Sequence, residues 1–353
     1  MPRLSSVVAA VLAAIAFVAA SPCQNGSKRA VQVFVLAGQS NMEGKSQNKL
    51  WEHQCVADAT RAFFAPFRDA ANESWVVRDD VWIKFFGRKG PLTLGFGSNG
   101  RTGLEYAFGL RVGDHFEEPV LLIKTAWGGR SIRRDFRPPS AGLPGDAVLD
   151  KELADAVKRT RNNNEKRKRN DPLPTREQIV AGYGRDYRLM IEEVQQTVAA
   201  AGSLFPQLQG REAQLAGFVW FQGWNDQYGG AELEYEQNLR HLIADVRKDL
   251  GVDDLPVVIG VMGQNGAEPA KGAMLAIQRA QTKVADLDGV VAVTTADLQD
   301  AAAAKLYPEW KKRFEEWERT GSDHPYHYLG SAIWYSRIGF ALADAVIELQ
   351  GGR

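Results

Sequence analysis

Four short stretches, far apart in the chain, carry groups suited to acyl-transfer chemistry. The first is Gly38-Gln39-Ser40-Asn41-Met42-Glu43-Gly44. A glycine two residues before a serine suits a tight turn that presents the hydroxyl; the same serine also reads as a plain helix N-cap. The second is Trp127-Gly128-Gly129-Arg130-Ser131-Ile132. Paired glycines let the backbone approach a ligand and aim an N–H at it, or simply make a turn. The third, Gln222-Gly223-Trp224-Asn225-Asp226, offers a side-chain amide donor in a stretch that is also a turn signal. The fourth, Asp323-His324-Pro325-Tyr326-His327-Tyr328-Leu329-Gly330-Ser331, sets two histidines and an aspartate within five residues. A serine nucleophile needs a base for its proton and donors for the oxyanion. Serine, glycine N–H, amide and imidazole occur here in that order. The other histidines, His53, His115 and His241, lie in a loop and two helical segments away from this pattern.

The elements that must position these groups are legible as five apolar runs: Val31–Ala37, Pro119–Thr125, Leu215–Phe221, Pro256–Met262 and Gly289–Thr294. Most show little polar alternation, as expected of strands buried on both faces. Helical spacing fills the gaps over Gly103–Phe116, Arg176–Ala201, Leu233–Leu250, Gly272–Ala285 and Gly330–Leu349. Strands alternating with helices predict a parallel sheet covered on both sides. Ligands of such sheets bind beyond the carboxyl ends of the strands, and the first three stretches above directly follow three of the runs.

Two insertions interrupt the pattern, at about 46–100 and 134–175, within a single domain expected over 28–350. The first carries Trp51, Trp75, Trp82, Phe85 and Phe86, which reads as an excursion packed by its aromatics, or as part of a cleft. The second holds seven basic residues among the twelve of 158–169; a solvated face is the plain reading and a polyanion patch the sharper one. Basic and acidic residues balance at 43 each, so no global field recruits nucleic acid or an anionic membrane. No HExxH or P-loop motif occurs. Arg3 followed by an apolar run to Ala20 reads as a secretory signal over 1–20, short of the ~20 apolar residues of a spanning helix. The expected location is therefore secreted or periplasmic, with no stable membrane insertion after cleavage. Export permits a disulfide, and Cys23–Cys55 is the one available pair; two unpaired thiols are the alternative.

On these motifs the sequence resembles the SGNH hydrolase superfamily, and within it the sialate O-acetylesterase-like carbohydrate esterases (carbohydrate esterase family 6). Gly38-Gln39-Ser40-Asn41-Met42 resembles the family's nucleophile block. Gly128-Gly129 resembles the second block, Gly223-Trp224-Asn225-Asp226 the third, and His327 the base of the last. The resemblance implies a three-layer α/β/α sandwich with a five-stranded parallel, flavodoxin-like sheet. It implies Ser40 as nucleophile and His327 as base. It implies an oxyanion hole from the N–H groups of Ser40 and of Gly128 or Gly129, with the Asn225 amide. It implies no cofactor and no metal. One departure stands out. The superfamily places its aspartate three residues before the histidine, whereas Asp323 lies four before His327. Asp323 is the first choice of orienting acid; Asp297, Asp300 or a backbone carbonyl are the alternatives.

The implied activity is a secreted serine esterase that removes acetyl groups from an oligo- or polysaccharide, sialate O-acetylesterase-like or acetylxylan-esterase-like. The rivals are a non-catalytic carbohydrate-binding protein and a lipase or thioesterase on the same fold. Substrate contacts are expected from Gln39, Asn41 and Gln222, from the rings of Trp127 and Trp224, and from Arg130. Trp220 and Phe221 read equally as core. Arg130, Arg133, Arg134 and Arg137 could meet an anionic glycan or form a solvated basic loop. Glu105 reads as a first-turn helix charge.

Overall fold

The computed structural model describes residues 30–71 and 73–351. The expected signal segment and Cys23 lie outside them. The fold is mixed α/β, with one large, mostly parallel sheet flanked by helices. Its strands are β1 (Ala30–Gly38), β2 (Val81–Phe85), β3 (Arg88–Pro91), β4 (Val120–Ala126), β5 (Glu212–Phe221), β6 (Val257–Val261) and β7 (Val290–Thr294). They lie side by side in the order β3-β2-β4-β1-β5-β6-β7, and only β3 runs antiparallel to its neighbour.

The five apolar runs are β1, β4, β5, β6 and β7, but the sheet has seven strands rather than five. The two extra strands come from the first insertion. Arg88-Lys89-Gly90-Pro91 is mostly exposed and pairs on one side only. Charge, glycine and proline are tolerated on an edge strand because one row of its N–H groups faces water. They also make the segment read as a turn. β2 pairs with both β3 and β4, and at five residues it hides among the aromatics around it.

Alternation along β1 divides the core. Phe34 and Leu36 pack with helices α1 (Glu105–His115) and α6 (Ala332–Gly351). Val31, Val33, Val35 and Ala37 pack on the other face, with α3 (Arg185–Ala199), α4 (Tyr235–Leu250) and α5 (Gly272–Lys283). Both faces are thereby dry, which is why the strands show no polar alternation. The helical pattern expected over 176–201 is broken at Tyr183, whose backbone is extended (φ −71, ψ 129).

The aromatic excursion is mainly packing. Trp51 is fully buried, with its ring against Phe64, Phe67, Trp75 and Tyr106. Phe86 is the exception: it is half-buried and meets Trp127 at 4.8 Å between ring centroids. The basic segment lies mostly on helix α2 (Asp146–Arg167), of which only Leu149 is buried. Its basic side chains are all exposed. Cys55 is buried, and that burial pushes its thiol above the usual cysteine range. No described helix is long and apolar enough to cross a membrane.

Candidate active site

Ser40 is set by the end of β1. Gly38 has φ +155, and a Cβ there would lie 2.2 Å from the Phe221 carbonyl oxygen, so only glycine lets β1 pass this close to β5. The chain then makes one helical turn, Ser40–Glu43. Gln39, not Ser40, holds the N-cap position, so the plain capping role does not apply. The Ser40 Oγ instead lies 3.1 Å from His327 Nε2.

The Asn225 turn follows β5, the neighbour of β1. Chain order along the sheet reverses between these two strands, which is where open α/β sheets bind ligands. Gly223 carries φ +150, and a Cβ there would lie 2.5 Å from Met262 Sδ. Gln39 binds this turn to the serine turn. Its Nε2 donates to Asn225 Oδ1 (3.0 Å), and its Oε1 accepts from Gln222 Nε2 (3.2 Å), Gly223 N (3.2 Å) and Asn225 N (3.3 Å). With Oδ1 engaged, the Asn225 NH2 is the end left to donate. Among the described residues it makes no hydrogen bond, and neither do the N–H groups of Ser40 and Gly128.

Gly128 follows β4, the other neighbour of β1. A Cβ there would lie 3.8 Å from Ser40 Cβ and 3.3 Å from Glu43 Oε2, whereas one at Gly129 would meet nothing within 4 Å. Of the pair, Gly128 is therefore the residue beside the serine. Asp226 fixes this loop from beneath. It is fully buried, and its oxygens accept from the N–H groups of Ile132 and Arg133 (3.0 Å each) and from Gln222 Nε2 (2.6 Å). Burial pushes its carboxyl up to about 6, against the pull of those donors. The loop's arginines face carboxylates. Arg130 Nε lies 3.0 Å from Asp186, Arg133 Nε 3.1 Å and Arg137 Nη1 2.9 Å from Glu234, and Arg134 Nε 3.8 Å from Glu152.

His327 comes from a loop, not from a strand end. Pro325–Gly330 forms irregular 3-10 turns in which Tyr328 (φ 50) and Leu329 (φ 59) are left-handed, a conformation costing about 1–3 kcal/mol for such residues. The Tyr328 side chain anchors the curl. It is fully buried, and its hydroxyl accepts from Gly263 N and meets Thr295 Oγ1, both at 3.0 Å. The Leu329 carbonyl takes the N–H groups of Ser322 (2.8 Å) and Asp323 (3.0 Å). This fold-back brings Asp323 beside His327 across the four-residue spacing. Asp323 Oδ2 lies 3.2 Å from His327 Nδ1, a close approach just outside hydrogen-bond geometry. The same oxygen accepts from Arg101 Nη1 (2.9 Å), and Oδ1 accepts from His324 N (2.8 Å). Burial pushes the Asp323 carboxyl up, but His327, the His324 N–H and Arg101 together hold it below the usual carboxylate range.

The alternative residues are occupied elsewhere. Asp300 caps the helical turn at Ala301–Leu306 and accepts from Ser331 Oγ at 2.6 Å. Asp297 lies 3.5 Å from Thr294 Oγ1. His324 Nδ1 meets the Tyr307 hydroxyl at 3.0 Å.

Several residues expected to touch substrate face protein instead. Gln39, Asn41 and Gln222 are each 3% exposed or less. Asn41 donates to the Tyr326 carbonyl (3.1 Å) and accepts from the Tyr335 hydroxyl (3.0 Å), tying the histidine loop to the serine turn. Trp220 and Phe221 are core. Trp127 and Arg130 do line a cavity of about 510 Å³ beside Gly128, with Phe85, Phe86, Glu43 and Ser98. Glu105 is fully buried and paired with the equally buried Lys124 at 2.8 Å. Lys124 also donates to the Glu43 carbonyl at 2.8 Å, beneath the serine turn. Burial pushes its ammonium down and Glu105 pulls it back. Sequence reasoning missed Arg101 and the linking roles of Gln39 and Asp226. The Asp226 carboxylate beside the Asn225 amide was the one available signal. No group of three potential metal ligands occurs among the described residues.

The geometry can be set beside known proteins. Among solved structures, a protein from Arabidopsis thaliana is similar at 16% identity and a TM-score of 0.52, over 90% of this chain and 98% of that one. That likeness is one of fold. A carbohydrate acetylesterase from Xanthomonas citri (16% identity, TM-score 0.48) matches over 91% of this chain and 57% of its own, and NanS (13%, 0.49) over 93% and 99%. No curated protein sequence matches. A family model described as carbohydrate esterase, sialic acid-specific acetylesterase matches residues 30–171 and 176–306. The matched region holds Ser40, Gly128 and Asn225 and ends before His327. The chain therefore belongs to the sialic acid-specific acetylesterase family of carbohydrate esterases.

Proposed function

We propose that this protein is a carbohydrate O-acetylesterase working through a Ser40–His327–Asp323 triad. The observation that carries the reading is the 3.1 Å approach of Ser40 Oγ to His327 Nε2, with Asp323 on the other ring nitrogen. Family membership supports an ester of a sugar as substrate.

In this reading Ser40 Oγ attacks the acetyl carbonyl while His327 Nε2 takes its proton. The oxyanion is held by the N–H groups of Ser40 and Gly128 and by the Asn225 amide. The imidazolium then gives its proton to the departing sugar oxygen, leaving an acetyl ester on Ser40. Water, deprotonated by His327, releases acetate and restores the hydroxyl. Asp323 holds the ring and stabilises its charge, and the His324 N–H and Arg101 help His327 keep Asp323 ionised. Gln39, Gln222 and Asp226 act through the donors they position. The apolar run at the N-terminus supports export, so we place the enzyme outside the cytoplasm.

The test is hydrolysis of 4-nitrophenyl acetate by wild type and Ser40→Ala. A loss of about 10⁴-fold or more in kcat, at unchanged Tm, is expected. A variant running at the wild-type rate rejects the reading.

A further inference from the structure

A second cavity adjoins the site on the far side of the histidine loop. It has a volume of about 180 Å³ and shares no lining residue with the larger one. Its walls are Tyr307, Trp310, Phe314 and His324, and Arg101 and Asp323 also line it. The Tyr307 and Trp310 rings are near parallel (11°), and His324 stands almost perpendicular to both (86° and 85°). Phe314 and Tyr326 are 52% and 38% exposed. From this cavity a line of rings leads back to the oxyanion turn: His324 stacks on Tyr326 (5.3 Å), and Tyr326 meets Trp224 (6.0 Å).

The cavity also has polar groups to spare. Arg101 gives one nitrogen to Asp323, and among the described residues its others make no hydrogen bond. His324 meets Tyr307 through Nδ1, which leaves Nε2 open. Flat apolar faces combined with a few fixed donors suit a sugar ring, whose C–H faces lie on aromatics while its hydroxyls take hydrogen bonds. Sites for drug-sized ligands are about 300–1,000 Å³, so this smaller cavity suits one ring. Its place matters too. Tyr326 packs on His327 (4.5 Å between rings), the group that protonates the departing sugar oxygen in the proposed mechanism.

We infer that this cavity is a subsite for a neighbouring sugar unit on the leaving-group side, so that the substrate is an oligo- or polysaccharide rather than a free acetylated monosaccharide. The inference rests on the esterase reading for its direction, and on the cavity alone for sugar binding.

Two measurements test it. The first compares kcat/KM on acetylated xylose and on acetylated xylo-oligosaccharides of three to five units, with 4-nitrophenyl acetate as reference. In the wild type, kcat/KM rises about tenfold from one unit to three or more. In Trp310→Ala, the ratio of oligosaccharide to 4-nitrophenyl acetate kcat/KM falls about tenfold, mainly through KM. Rates independent of chain length, or equal losses on both substrates, overturn the subsite. The second titrates unacetylated xylopentaose into Ser40→Ala protein and follows the Trp310 indole N–H by NMR. A saturable shift that disappears in Phe314→Ala is expected, and no shift overturns the subsite. If 4-nitrophenyl acetate is not hydrolysed while xylopentaose still shifts Trp310, the esterase reading fails and the sugar subsite stands.

Discussion

The site is assembled from two halves built on different principles. Ser40, Gly128 and Asn225 leave the carboxyl ends of three adjacent strands, β1, β4 and β5. Strand spacing sets their separation, and buried side chains, chiefly Gln39, Gln222 and Asp226, cross-link them. The histidine half has no strand beneath it. One loop carries Asp323 and His327, curled by two left-handed residues and pinned by the Tyr328 hydroxyl and by Asn41. A sheet positions groups through register, so each motif is local. A curled loop positions them through tethers distant in sequence.

That contrast explains what could be read in advance. Ser40, Gly128 and Asn225 sit in short motifs directly after apolar runs, and β1, β4, β5, β6 and β7 were visible as those runs. The β2–β3 hairpin was not, because an exposed edge tolerates charge and proline. Gln39, Asn41 and Gln222 read as substrate contacts but are buried among protein partners, since a polar side chain beside Ser40 gives no sign of burial in the sequence. In the histidine half, the pattern points to His327 and leaves Asp323, Asp297 and Asp300 open as its partner. The left-handed turn at Tyr328–Leu329 brings Asp323 beside His327, and neither residue type announces that conformation. Arg101 lies 222 positions from Asp323, and no pattern connects them.

Substitutions can break each half separately. The largest effect is expected in the serine half. Asn225→Ala removes a proposed oxyanion donor and should lower kcat on 4-nitrophenyl acetate about 10²–10³-fold, with a stability loss of about 1–3 kcal/mol because it strands Gln39 Nε2. A folded Asn225→Ala protein with wild-type kcat would contradict the donor role. Gln39→Ala should cost about 10–10²-fold in kcat and also lower stability by about 1–3 kcal/mol, because it strands the N–H groups of Gly223 and Asn225. Denaturant unfolding measures the second effect; an unchanged midpoint would contradict the linking role.

In the histidine half, Tyr328→Phe keeps the ring and removes the hydroxyl from Gly263 N. A loss of about 1–3 kcal/mol is expected, with kcat reduced less than in Asn225→Ala. Wild-type stability in this variant would show that the curl does not depend on that anchor.

The smallest effects separate the halves by their pH sign. Asp226 has its folded pKa raised to about 6, so its contribution to stability weakens as pH rises from about 4 through 6. Asp323 has its folded pKa lowered, so its contribution is present above about 4 and is lost as pH falls through the folded value. The Tm difference between wild type and Asp226→Asn should therefore be more favourable to wild type at pH 4 than at pH 7. For Asp323→Asn it should be less favourable at pH 3 than at pH 7. Parallel trends in the two variants would contradict the opposite environments.

The most direct measurement of the joined halves is trapping of the nucleophile. Protein treated with a fluorophosphonate ester is digested, and the adduct is located by mass spectrometry in wild type and in His327→Ala. The expected result is one adduct on Ser40 in the wild type, formed at least about 10²-fold more slowly without the imidazole. An adduct on another residue, or Ser40 labelling at equal rates in both proteins, would contradict a serine activated by His327.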